Sequence, residues 1–239
     1  GVQTCALPIF DSDSEIASID IVKNRPSSWV SLREVSSIAS SAIVISEDAA
    51  FWSHNGFDWN QMWDAFQTNL KKGRFARGGS TITQQVIKNV YLSGEKTLLR
   101  KLKEAVLTMR IERHVSKKRI LEIYLNIAEF GPGIYGIGPA SRFYFQKHPS
   151  QLGAREGAFL AMLLPSPKRY SVSFRKKTLT PFAKGIIRGI LQKLAAVDRL
   201  SDAELRVALE TPLSFESVAL PDLQSPREEE PDDEGEEEL

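Results

Sequence analysis

Residues 97–115 read TLLRKLKEAVLTMRIERHV. Leu98, Leu102, Val106 and Met109 recur every three or four positions, the spacing of one helix face, and are expected to form a buried stripe. Arg100, Lys101, Glu104 and Thr108 fall together on the opposite face. Segments on both sides carry the same period. KKRILEIYLNIAEFGPG, 117–133, turns Ile120, Leu121, Tyr124, Leu125 and Ala128 inward and stops at Gly-Pro-Gly. GGSTITQQVIKNVYL, 78–92, offers Ser80 or Thr81 as an N-cap ahead of Ile82, Val86 and Val90. In SLREVSSIASSAIVI, 31–45, Leu32, Val35, Ile38, Ala42 and Ile45 predict a helix that delivers Glu47 at or just past its C-terminal end. GAREGAFLAMLLPSP, 153–167, predicts a short apolar helix ended by Pro165, and residues 181–209 predict two more. The fold class is therefore mostly α. The expected organisation is a foreign-looking or disordered segment over 1–27, a main domain over 28–172, a helical extension over 173–220 and a disordered acidic tail over 221–239.

The 239-residue chain can bury a substantial core. Its net charge of +1 hides an asymmetry, because residues 228–239 hold nine of the 30 acids, and without them the charge is +10. A basic body suits nucleic acid, an anionic membrane face or a phosphorylated substrate, and composition does not choose among them. Cys5 is the single cysteine, which excludes an intrachain disulfide framework and a thiolate metal cluster. No apolar run approaches the ~18 residues of a membrane span. The opening GVQTCALPIF lacks the basic start and long apolar stretch of a signal peptide. With DSDSE after it, this opening is expected to be foreign to the fold, with a native anchor lost upstream.

Four polar clusters stand out: EDAAFWSHNGFD at 47–58, RGGSTITQQVIKN at 77–89, RKLKE at 100–104 and RILEIYLN at 119–126. Each has a plain structural explanation when taken singly. Glu47 and Asp48 suit an exposed turn, and His54 beside Asn55-Gly56 suits a turn or a core. Arg100 and Glu104 suit a solvated helix ion pair worth ~0.3–0.5 kcal/mol. Gln84 and Gln85 suit surface amides, and Glu122 with Asn126 suits a hydrogen bond along one helix face.

The four clusters in this order resemble the peptidoglycan glycosyltransferases, glycosyltransferase family 51, over residues 29–170. HNGFDW, NIAEFGPGIYG and LLPSPKRYS are similar to the monofunctional biosynthetic transglycosylase branch. No Ser-x-x-Lys with Lys-Thr-Gly, the mark of a transpeptidase domain, follows residue 170. The resemblance implies a lysozyme-like helical lobe and a smaller membrane-facing lobe, the latter mainly from residues 60–80. It implies Glu47 as catalytic base and Glu104 as the second catalytic glutamate. Substrate positions carried over from the first two clusters are Asp48, Phe51, His54, Arg77, Ser80, Thr81, Gln84, Gln85, Lys88 and Asn89. The last two clusters add Arg100, Lys101, Glu122 and Asn126. One family position after Glu-Asp, often Arg or His, is Ala50 here, and the transmembrane helix that usually precedes the domain is absent from this sequence.

The implied reaction joins a growing glycan, held through diphosphate on a polyprenol, to the 4-hydroxyl of a lipid-linked disaccharide, with inversion to a β-1,4 bond. A sugar hydroxyl needs a base, and Phe51 and Trp52 are placed to give Glu47 apolar surroundings. The departing diphosphate needs cations, for which Arg77, Lys88, Arg100 and Lys101 are available. Glu104 would order them or hold a divalent ion; no cofactor is required, and Mg2+ or Mn2+ at the diphosphate is the one option. No metal site is expected from protein ligands alone. Expected partners are the lipid-linked precursor, the growing strand, the membrane surface, and cell-wall synthesis and division proteins, with no nucleic acid. The expected location is the outer, periplasmic face of the bacterial cytoplasmic membrane. Two rivals are a lytic transglycosylase or muramidase, whose neutral substrate bond would leave the cations without a role, and a basic nucleic-acid or lipid-binding module. The second rival lacks interleaved aromatics and any helix-turn-helix signature.

Overall fold

The fold was obtained as a computed structural model that describes residues 26–73, 78–91 and 97–216. Residues 1–25 of the segment expected over 1–27, and the acidic tail expected over 221–239, lie outside the described residues. The main helices are α1 (Ser37–Glu47), α2 (Trp59–Lys72), α3 (Ile82–Tyr91), α4 (Leu98–His114) and α5 (Lys117–Ile127). A short hairpin of β1 (Glu129–Gly131) and β2 (Ile134–Tyr135) follows, paired antiparallel. Then come α6 (Ile137–Phe145), α7 (Ala154–Leu163), the single turns α8 (Pro167–Tyr170) and α9 (Val172–Arg175), α10 (Pro181–Ala196) and α11 (Asp202–Glu210). The protein is mostly α, as the helical periodicity predicts.

Local chemistry starts these helices. Ser36, Asp58, Thr97, Ser116, Thr180 and Ser201 each accept a hydrogen bond from a backbone N–H of the first turn of α1, α2, α4, α5, α10 and α11 respectively. The core forms where α1 crosses α7 and α10. Gly157 makes the α1–α7 approach possible, because a Cβ there would stand 2.6 Å from Ala39 Cα. Backbone, not a rotatable side chain, blocks that volume. Gly157→Ala is therefore expected to lower stability by about 2 kcal/mol or more in urea unfolding, despite the ~1 kcal/mol helix-propensity gain. The core continues past residue 172. Ile187, Ile190, Leu191 and Leu194 of α10 are buried in it, and Phe215 packs 5.0 Å from the Phe159 ring and 5.1 Å from Phe174.

Helix α4 lies with the opposite face inward from the one its sequence predicts. Leu98 is 92% exposed and Leu102 63% exposed, with Val106 and Met109 also facing solvent, whereas Glu104, Thr108 and Ile111 are buried. The inward face fits a notch at Gly56, where φ is +94° and a Cβ would stand 2.7 Å from Thr108 Cγ2. Thr108 and Glu112 are satisfied there: Thr108 donates to Glu104 O at 2.7 Å, and Glu112 accepts from Thr83 of α3 and from Lys117 of α5. Burial of a polar helix face costs little where its groups find partners, as Thr108 and Glu112 do. Helix α2 also turns Trp59, Trp63, Phe66 and Leu70 outward and buries only Ala65.

Candidate active site

Glu47 is the last residue of α1, and Asp48 ends the helix with an extended φ of −159°. The two acids have different surroundings. Asp48 is wholly buried, and its Oδ2 accepts from the Ile82 N–H at 2.9 Å, placing a carboxylate on the N-terminus of α3. His54 Nε2 lies 2.9 Å from Asp48 Oδ1, and the Gly56 N–H points at Nδ1 at 3.0 Å. Nδ1 is therefore the acceptor and Nε2 carries the proton donated to Asp48. The loop folds over Phe51, which is fully buried, meets Trp52 edge-on at 5.0 Å and carries the Lys117 ammonium 4.5 Å above its face.

The start of α3 completes this frame. Thr81 and Gln84 form a reciprocal cap, Thr81 N donating to Gln84 Oε1 at 3.0 Å and Gln84 N to Thr81 Oγ1 at 3.3 Å. The Thr81 hydroxyl donates to Gly56 O at 2.7 Å. Both side chains are buried and occupied. One turn into the helix, Gln85 is only partly buried and its Nε2 donates to Glu47 Oε2 at 2.9 Å. Burial pushes the Glu47 carboxyl above its ordinary range; Gln85 draws it back, and the neighbouring Asp48 charge adds to the rise. A carboxylate so placed has one oxygen held and a raised proton affinity, the properties of a general base.

Glu104 sits on the inward face of α4 and is 2% exposed. Arg100 Nη1 donates to its Oε2 at 3.2 Å, and the Lys101 ammonium pairs with Oε1. Arg100 Nε is buried without a partner among the described residues. Lys88 and Asn89 are exposed on α3, and Ser80 is exposed just before it. Arg77 lies outside the described residues.

Glu122 and Asn126 face another part of the chain. Glu122 accepts from Trp29 Nε1 at 3.2 Å and Leu32 N at 3.0 Å and is paired with Arg119. Asn126 brackets Val30, accepting from its N–H and donating to its carbonyl, both at 2.8 Å. Asn126 also donates to the Glu122 carbonyl at 2.8 Å, so the expected link along the helix exists through the backbone. These two residues anchor the strip of chain that enters the fold.

The sequence clusters thus separate into two chemical groups, Glu47 with Gln85 and Glu104 with Arg100 and Lys101, and a supporting frame of Asp48, Phe51, His54, Thr81 and Gln84. Glu112 was not singled out by sequence, although it follows Glu104 and Thr108 at four-residue steps on the same face. Among the described residues no three His, Cys, Asp or Glu side chains are grouped to hold a metal. With both Glu104 oxygens engaged by cations, the donor set does not fit a protein-held divalent ion, which seeks several free oxygens.

A family model described as Transglycosylase matches residues 12–190. A protein named biosynthetic peptidoglycan transglycosylase in Chromobacterium violaceum is 46% identical over 142 residues, 59% of this chain and 62% of that protein. Proteins of the same name in Aromatoleum aromaticum and Thiobacillus denitrificans are 47% identical over 146 residues and 49% over 142, covering 61% and 59% of this chain. The chain spans 64% and 61% of these two relatives, less than two thirds of their length.

Proposed function

Because this chain belongs to the transglycosylase family, we propose that it polymerises peptidoglycan strands from a lipid-linked disaccharide, releasing polyprenyl diphosphate. One observation carries this reading: a partly buried carboxylate of raised proton affinity, Glu47, in a fold that also holds a glutamate bound by two cations, Glu104 with Arg100 and Lys101. The pairing of a base with cations suits transfer from a diphosphate; cleavage of a neutral glycan needs no cation cluster.

In the proposed step Glu47 takes the proton of the acceptor 4-hydroxyl as its oxygen forms a bond to the donor anomeric carbon. The bond from that carbon to the diphosphate oxygen breaks, and its electron pair leaves with the diphosphate. Attack opposite the leaving group inverts the centre to a β-1,4 glycoside. Arg100, Lys101 and Lys88 neutralise the departing charge, with Arg77 in the same role. Glu104 orders the first two, and Ser80 and Asn89 are available to sugar hydroxyls. Gln85 holds the base. Asp48, Phe51, His54, Thr81 and Gln84 act one step back, by fixing the base-bearing loop against α3, and Glu122 and Asn126 act through the entering chain.

Among the described residues no helix is long and apolar enough to cross a membrane. The outward apolar faces of α2 and α4, with Lys71 and Lys72 closing α2, instead suit a surface that dips into the headgroup region. The proposed location is the outer face of the bacterial cytoplasmic membrane. The proposed partners are the lipid-linked precursor, the growing strand and the membrane, with cell-wall synthesis and division proteins as the wider setting. Trp63→Ser combined with Leu102→Ser is expected to weaken sedimentation with anionic vesicles about tenfold or more without lowering Tm, since both side chains already face solvent. Unchanged vesicle binding would place the membrane face elsewhere.

The deciding experiment is incubation of the protein with lipid-linked disaccharide pentapeptide in detergent. Glycan polymer is the expected product. Absence of polymer, together with soluble fragments released from purified sacculi, would replace synthesis by lysis.

A further inference from the structure

The base does not hold its orientation alone. Behind Gln85 lies Tyr124 of α5, 1% exposed, whose hydroxyl donates to Gln85 Oε1 at 3.2 Å. Tyr124, Gln85 and Glu47 therefore form one chain of hydrogen bonds running from α5 through α3 to the end of α1. We propose that Tyr124 is a positioning residue for Glu47: its buried hydroxyl locks the Gln85 amide in the orientation that presents an N–H to the carboxylate.

The physical reason lies in the shape of an amide. Its two ends are nearly equal in size and opposite in hydrogen-bonding sense, so rotation by half a turn costs little in packing and reverses the polarity offered to a neighbour. The flipped amide would aim its carbonyl at Glu47 and favour the protonated acid. The Tyr124 hydroxyl can also accept, but after a flip it would face an N–H and its own buried proton would lose the Gln85 Oε1 acceptor, which disfavours the flip; donation into Oε1 also polarises the amide so that its N–H binds the carboxylate more strongly. Burial, with the charges of Glu47 and Asp48 adding to it, pushes the Tyr124 phenol well above its ordinary range. At neutral pH it stays protonated and so remains a donor.

The surroundings leave this chain as the main adjustable influence on Glu47. Asp48, next in sequence, is held by His54 and Ile82 N. On α3, Lys88 is exposed. On α5, Lys117 is engaged by Glu112 and Phe51, and Glu122 is paired with Arg119. On α7, Glu156 is paired with Lys147 and shares a cavity with Ser37, at the opposite end of α1. The α10 charges Lys184, Arg188 and Lys193 are exposed.

The inference rests on Glu47 being the base, so its test separates the two ideas. The Glu47 carboxyl is titrated by carbon-13 NMR in the full chain without substrate, with Tyr124→Phe set against the wild type. Loss of the hydroxyl is expected to raise the midpoint by about 0.5–1 pH unit, the size of one modest hydrogen bond. The acid limb of kcat/KM for polymerisation should move up equally. An unmoved midpoint with a lowered Tm overturns the proposal and leaves Tyr124 as a packing residue. A raised midpoint with an unmoved rate profile upholds the hydrogen-bond chain and removes Glu47 from the base role. If Tyr124→Phe does not fold, replacement of the tyrosines by 3-fluorotyrosine strengthens the donor and should move the midpoint down; no movement overturns the proposal.

Discussion

Glu47→Gln is expected to lower the rate of the proposed glycan polymerisation by about 10²–10⁴-fold, the usual contribution of a general base. The substitution keeps the size of the side chain and its acceptor oxygen, so the hydrogen bond from Gln85 Nε2, now 2.9 Å long, is retained. Stability moves the other way. Burial raises the folded-state pKa of Glu47, so its favourable contribution is complete below the unfolded value and is lost as pH rises through the folded one. Glutamine carries no such penalty. The variant should melt with the wild type in acid and above it at neutral pH, a divergence read from paired thermal melts. Near-normal turnover in Glu47→Gln would remove the residue from the chemistry, and equal melting curves at every pH would show that the carboxylate is not strained by burial.

Arg100→Gln or Lys88→Gln is expected to cost about 30- to 1,000-fold in kcat/KM for the proposed lipid diphosphate substrate, ~2–4 kcal/mol, because contacts to a leaving group strengthen as its charge develops. Glu104→Gln is expected to be impaired as well. Its carboxylate is buried and holds both Arg100 and Lys101, and without it the two cations lose their common anchor. The same variants measured on purified sacculi separate synthesis from cleavage. Preformed strands carry no diphosphate, so neither the wild type nor the variants should release fragments. Full polymerisation by Glu104→Gln, with α4 still folded, would reduce the cluster to a structural ion pair.

What could be read from the sequence follows the range of each interaction. The starts of α1, α4 and α5 depend on Ser36, Thr97 and Ser116 bonding to an N–H three positions on, so a few residues suffice. Periodicity over ten or more residues then predicted the helices and brought Glu47 to the end of α1. The order of the four polar clusters pointed to the family and paired Glu104 with Arg100 and Lys101, which are neighbours on one helix turn.

The partners of the remaining polar residues lie far away in the chain. Asp48 meets Ile82 across 34 positions, Gln85 meets Glu47 across 38, and Glu122 and Asn126 meet residues 29–32 across 90 or more. Nothing in a local pattern says that a capping Thr81 is also tied to Gly56, or that an inward Tyr124 ends on Gln85. Helix α4 states the limit most plainly. Its sequence determined by itself that the segment is a helix with one apolar and one polar face, because both follow from the 3.6-residue repeat. Which face turns inward was decided only by tertiary structure: Gly56 leaves room for Thr108, while Thr83 and Lys117 satisfy Glu112, so the polar face packs on the 47–58 loop, α3 and α5, and Leu98 and Leu102 are left outside.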